Sequence, residues 1–151
     1  MFFGTFEHSI DEKGRVNVPA KFRDALRASG DDRLFITNFV FQNVHCLDVY
    51  PPAAWFRFLD RVQERPQLDP RIINVVQNYY LAGTQECQID RQGRILIPPR
   101  LRDYAGLRKD AIFAGALEKF RIWDRDSFGP VFASGEQTLV ENPNILTELG
   151  L

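Results

Sequence analysis

The sequence predicts an α+β protein built from two tandem copies of one small module, and three observations predict it. Residues 4–24 realign on residues 83–103 when the chain is displaced by 79 positions, with ten identities among 21 positions. Chance would give about one or two identities over such a window. Within each copy the apolar residues alternate with a period of two and then switch to helical spacing. Between the copies lie two stretches with apolar stripes at helical spacing, the second opened by an N-cap and a proline. The boundaries that follow are residues 5–51 for the first module, 52–82 for a helical hairpin, 83–126 for the second module and 127–151 for an acidic C-terminal segment.

Each element has a local reason. Over residues 5–10, Phe6, His8 and Ile10 share one face, and Thr5, Glu7 and Ser9 the other, which predicts a half-buried strand. Asp11-Glu12-Lys13-Gly14 reads as a tight turn, with Gly14 free to take positive φ. A return strand over 15–18 would complete a hairpin, with Val16 and Val18 inward and Arg15 and Asn17 outward. Pro19 suits a helix start, and Phe22, Ala25 and Leu26 give residues 20–28 a helical stripe. Strands are expected at 34–41 and 46–50. The second copy repeats the series: a strand at 84–89, the turn Asp90-Arg91-Gln92-Gly93, a strand at 94–97, a helix at 99–105, and strands at 111–117 and 120–123. Beyond the first 24 residues the copies realign at a displacement of 73, where Val49-Tyr50 meets Ile122-Trp123 and Trp55 meets Phe128. In the hairpin, Trp55, Phe58, Leu59 and Val62 form one packing stripe. Ile72, Val75, Val76 and Tyr79 form the other, after an N-cap at Asp69 and Pro70. Gly129-Pro130 and Asn142-Pro143 are expected to prevent a long C-terminal helix.

Charge and composition narrow the function. Net charge is −1, which argues against a simple basic DNA binder. The distribution is uneven, however. The stretch 126–151 holds four acids and no Lys or Arg, which leaves +3 on residues 1–125. Residues 90–109 hold six basic residues against two acids, and residues 11–27 hold five against three. The two cysteines, Cys46 and Cys87, fall in no C-x-x-C pattern and read as buried thiols in a reducing compartment. The first residues do not have the pattern of a secretory signal, and no apolar run has the length of a membrane span. His8 and His45 match no metal spacing with the cysteines, and no nucleophile elbow or P-loop is present. No enzyme activity, cofactor, metal or small-molecule substrate is therefore expected.

The two turns carry the most specific signal. Asp11-Glu12-Lys13-Gly14-Arg15 and Asp90-Arg91-Gln92-Gly93-Arg94, each followed three residues on by an aliphatic-Pro pair, closely resemble the paired D-x-x-x-R motifs of the bacterial MraZ proteins. These are tandem SpoVT-AbrB-type proteins, and the resemblance runs to about Asp126. It implies two AbrB-like units around a pseudo-twofold, β-barrel-like core. It also implies a cytoplasmic, nucleoid-associated transcriptional regulator that forms a ring. Such a ring would bind direct repeats of double-stranded DNA in the promoter of its own cell-division and cell-wall gene cluster. In the family the motif's arginine is taken as the DNA contact, which points to Arg15 and, in the second copy, Arg94.

The chemistry of the residues is consistent with that. An arginine fixed by a rigid turn can chelate guanine O6 and N7 or grip a phosphate. Lys13 and Arg91, in the turns themselves, suit phosphate. Asp11, Gly14, Asp90 and Gly93 are assigned to turn structure. The competing reading is that Asp11–Arg15 and Asp90–Arg94 are salt bridges that brace the turns. Asn17 becomes Leu96 and Lys13 becomes Gln92 between copies, so the first copy is expected to be the principal reader. Two further function classes compete: an antitoxin-like protein-binding module, and a ring-forming scaffold without DNA.

Overall fold

The computed structural model describes residues 1–65 and 67–151. The expected elements are present: β1 (Thr5–Ser9), β2 (Arg15–Asn17), α1 (Ala20–Arg27), β3 (Arg33–Phe41), β4 (Val44–Tyr50), α2 (Pro52–Gln63) and α3 (Pro70–Val75). They continue with β5 (Gln85–Gln88), β6 (Arg94–Leu96), α4 (Pro99–Tyr104), β7 (Asp110–Ala116) and β8 (Lys119–Asp124), and a helix not expected from the sequence follows, α5 (Arg125–Glu141).

Their pairing differs from the sequence expectation. The turn at Asp11–Gly14 does not close a hairpin of paired strands. Instead β1 pairs with β7, β5 pairs with β3, and β2 pairs with β6, so each copy supplies its partner's neighbours. Turn chemistry signals only that the chain reverses locally. Which strand completes the ladder is decided by long-range packing, and here every short strand gains more by crossing to the other copy.

The result is one antiparallel sheet in the order β1-β7-β8-β4-β3-β5 and a separate two-stranded ribbon, β2-β6. The order reads the same from either end if each strand is replaced by its counterpart, which is the signature of a pseudo-twofold axis. The sheet is open, with β1 and β5 at its edges, and no closed barrel forms among the described residues.

Register locates the axis twice. In the ribbon Val16 lies opposite Ile95, its own repeat counterpart. In the sheet Asp48 lies opposite Arg121, again its counterpart. Between these two crossings sits the main core. Val16, Val18, Phe22 and Leu34 from the first copy meet Ile95, Ile97, Leu101 and Phe113 from the second. Phe22 and Phe120 stand at the middle, with ring centroids 5.0 Å apart.

The other face of the sheet is covered by helices. A smaller aromatic cluster of Tyr50, Trp55 and Tyr80, flanked by Phe35, Phe39 and Phe58, seats α2 on β3 and β4. Its counterpart α5 reaches β8 through Phe128, whose ring lies 6.0 Å from Trp123. The axial Asp48 is fully buried on this face. It accepts from Lys119 Nζ at 2.7 Å and Arg121 Nε at 2.8 Å, and from the hydroxyl of Tyr80. Burial and the Asp48 carboxylate push the Tyr80 hydroxyl far up, so it stays a donor.

Two helical expectations are corrected. α3 continues as a π-helical turn, Val76–Leu81, which turns the stripe away from the sheet. Tyr80 is buried instead, Val76 and Tyr79 are half-buried, and Ile72 and Val75 are exposed. The extra residue per turn is held by side chains of β3, where Thr37 donates to the Tyr80 carbonyl and Asn38 to that of Tyr79. At the C-terminus, Gly129-Pro130 does not interrupt the helix: α5 runs 17 residues with Pro130 inside. Pro130 cannot donate to the carbonyl of Asp126, which lies in the first turn of the helix. Asp124 caps the start by accepting from the Ser127 amide. The thiols of Cys46, buried, and Cys87, half-buried, are both pushed up to about 12 by burial.

Candidate nucleic-acid interface

Each turn is built around one carboxylate. Asp11 Oδ1 accepts from the backbone amides of Lys13 and Arg15, both at 2.9 Å, and Oδ2 accepts from Arg15 Nε at 2.7 Å. Asp90 does the same for the amides of Gln92 and Arg94, again at 2.9 Å, and for Arg94 Nε at 3.0 Å. The Arg15 amide, followed by its side chain, holds the Asp11 carboxyl below the usual carboxylate range, and Arg94 does so for Asp90. Bracing and reading are therefore compatible. The aspartate occupies Nε alone, and both terminal nitrogens of each guanidinium make no hydrogen bond to a described residue.

Gly14 and Gly93 are required twice over. Their φ values are +87° and +79°, in the region that costs an L-residue about 1–2 kcal/mol. A side chain at either position would also strike a guanidinium from the other copy, Arg102 at Gly14 and Arg23 at Gly93. The backbone is stitched the same way: the Val18 amide donates to the Gly93 carbonyl at 2.9 Å and the Ile97 amide to that of Gly14 at 3.0 Å. Each turn is thus clamped by the opposite copy.

The crossing of strands brings the sequence-predicted residues together. Arg15 lies opposite Leu96 and Asn17 opposite Arg94, so both arginines stand on one face of one ribbon. Diagonal neighbours of this kind lie about 7–8 Å apart. Lys13 and Arg91 sit in the turns at opposite ends of the ribbon, both exposed and without an ion-pair partner among the described residues. Arg23 and Arg102 were not singled out from sequence. Their signal was available, because they are identical at equivalent positions of the repeat. His8 and His45 do not converge on a metal site: the His8 ring meets the Phe113 edge, and the His45 ring stacks on Tyr104.

A family model described as "MraZ protein, putative antitoxin-like" matches residues 1–71 and 80–143. The chain belongs to the MraZ family. Curated MraZ relatives include proteins of Lachnoclostridium phytofermentans, 41% identical over 83% of this chain and 83% of the relative. One of Anaeromyxobacter dehalogenans is 37% identical over 85% and 87%. One of Thioalkalivibrio sulfidiphilus is 40% identical over 85% and 83%. All three MraZ relatives bear the name "Transcriptional regulator MraZ". No described helix is long and apolar enough to cross a membrane.

Proposed function

We propose that the chain is a transcriptional regulator that binds specific double-stranded DNA through the β2-β6 ribbon. The observation that carries this reading is the ribbon itself, a two-stranded element with two pre-braced arginines on its outer face. A two-stranded ribbon fits the major groove, and arginine with free terminal nitrogens matches guanine O6 and N7. Arg15 and Arg94 are the base readers, and Lys13 and Arg91 hold phosphates at the two ends. Asp11, Gly14, Asp90 and Gly93 hold the turns. Because the turn aspartate already fixes Nε, little side-chain freedom is lost on binding.

A chain with net charge −1 needs more than one ribbon to bind tightly. The reading therefore includes a homo-oligomeric ring acting on direct repeats, where each added contact raises the effective concentration of the next. Exposed apolar side chains support such an assembly: Ile72 and Val75 on α3, and Phe132, Leu139 and Val140 on α5. The proposed target is the protein's own promoter, ahead of cell-division and cell-wall genes, in a cytoplasmic, nucleoid-associated setting. The family model's antitoxin-like description favours a second reading, a protein partner held by the same apolar surfaces.

The test is a gel shift of the full chain on its own upstream region against a scrambled duplex, over a salt series. Selective binding that weakens steeply with salt is expected. Equal binding to both duplexes, with one stoichiometric protein recovered by pull-down, would favour the second reading.

A further inference from the structure

Resting on that reading, we propose that Asn17 and Leu96 give the DNA site its direction. The pseudo-twofold axis passes between Val16 and Ile95, at the centre of the ribbon. It relates Arg15 to Arg94, so the two arginines alone treat the two DNA strands alike. A ribbon carrying only them would read a palindromic step and would bind a sequence and its inverse equally.

The other two outward positions break this equality. Two residues after Arg15 stands Asn17, and two residues after Arg94 stands Leu96. Asn17 is exposed and makes no side-chain hydrogen bond among the described residues. Leu96 is 53% exposed, an aliphatic side chain set between two arginines on an otherwise polar face. Core packing does not explain it, because Ile95 and Ile97 on either side are the buried residues of that strand.

The chemistry of a base edge does explain it. The amide of an asparagine matches adenine N6 and N7, whereas an aliphatic side chain meets the methyl group of thymine. One end of the ribbon therefore selects adenine and the dyad-related end selects thymine. The site acquires a direction, and repeats of it must run head to tail to be read alike. Leu96 and Asn17 are specificity-determining residues that reach the bases without bearing on the fold, since both side chains point to solvent.

The experiment is an in vitro selection with the full-length protein on its upstream duplex, with one footprinted repeat randomised. Wild type is expected to recover a non-palindromic repeat. Leu96→Asn makes the two halves of the ribbon equivalent, and is expected to shift the base beneath it from thymine to adenine by about 10-fold in relative frequency. Asn17→Leu is expected to make the opposite change at the other end. Circular dichroism verifies that the variants remain folded, and enrichment of the repeat at the positions away from residues 17 and 96 verifies that they still bind DNA. Recovery of the wild-type repeat by both variants would overturn the proposal and leave the DNA-binding reading standing. No enrichment by wild type itself would overturn both.

Discussion

The pseudo-twofold axis passes between paired strands at two places, one exposed and one buried, and the two have diverged by different amounts. On the exposed ribbon it passes between Val16 and Ile95, near-equivalents, with an Asp-braced arginine kept on each side. On the sheet it passes between Asp48 and Arg121, counterparts of opposite charge. The buried crossing is the less symmetric one. Two identical modules meeting about a true dyad would bring like residues together, and like charges in a buried site repel strongly. A tandem chain escapes that constraint, because each side of the axis is encoded separately. The buried crossing uses this freedom to build a matched ion pair, whereas the ribbon uses it only at Asn17 and Leu96. Sameness is retained where two equivalent arginines serve one surface, and abandoned where the axis passes through the interior.

The largest way to break the comparison is at the buried crossing. Asp48→Ala leaves Lys119 and Arg121 without their shared acceptor and leaves the Tyr80 hydroxyl with Tyr50 as its one remaining side-chain partner among the described residues. A loss of about 3–5 kcal/mol is expected, read as a fall in the urea midpoint at unchanged slope. A loss under about 1 kcal/mol would mean that the network is solvated and not structural. The network's two cations also lie over aromatic rings, Arg121 4.7 Å from the Phe39 centroid and Lys119 5.1 Å from that of Tyr50, so the aromatic cluster should loosen with it.

A smaller effect is expected at the clamped turns. Gly14→Ala places a side chain at positive φ and against the Arg102 guanidinium, for a cost of about 1–2 kcal/mol. Part of that cost should disappear in the Gly14→Ala/Arg102→Ala pair, because the collision is with a flexible side chain. Simple additivity of the two changes in thermal or urea unfolding would contradict the cross-copy clamp. Gly93 and Arg23 repeat the test on the other side of the axis.

The smallest effect is on pH. Asp11 and Asp90 are held below their ordinary range by the folded turns, so they stabilise the folded state above about pH 4. That contribution is lost as pH falls through their folded values. Both carboxylates are exposed, so the expected sign is a modest acid destabilisation of the ribbon ends. Carboxyl NMR titrations that place either group at or above the usual range would remove the brace from the account.

Much of this architecture was legible in the sequence. The repeat signalled that the strands come in counterpart pairs, and period-two alternation gave the strands, because one face of each is buried. Strand pairing was not legible. Val16 and Val18 look the same whether the strand pairs with β1 or with its counterpart in the other copy. The tilt of Ile72 and Val75 to solvent was hidden because the π turn arises from Thr37 and Asn38 on a distant strand. The continuity of α5 through Pro130 was hidden because a cap at Asp124 and the Trp123–Phe128 contact offset one missing bond. For the candidate site, the sequence identified Arg15 and Arg94 and left reading and bracing as alternatives. Only the geometry reveals that Nε braces while the terminal nitrogens make no hydrogen bond among the described residues.

The symmetric, exposed crossing is the proposed DNA-reading surface, and the binding affinity of its two arginine variants tests that most directly. The affinity of full-length Arg15→Ala and Arg94→Ala for the upstream duplex and for a scrambled one is compared with wild type, by fluorescence anisotropy at fixed salt. Each variant should keep its fold and lose about 1–3 kcal/mol of specific binding, with little change on scrambled DNA. Wild-type discrimination by both variants would contradict the account and leave the two arginines as braces alone.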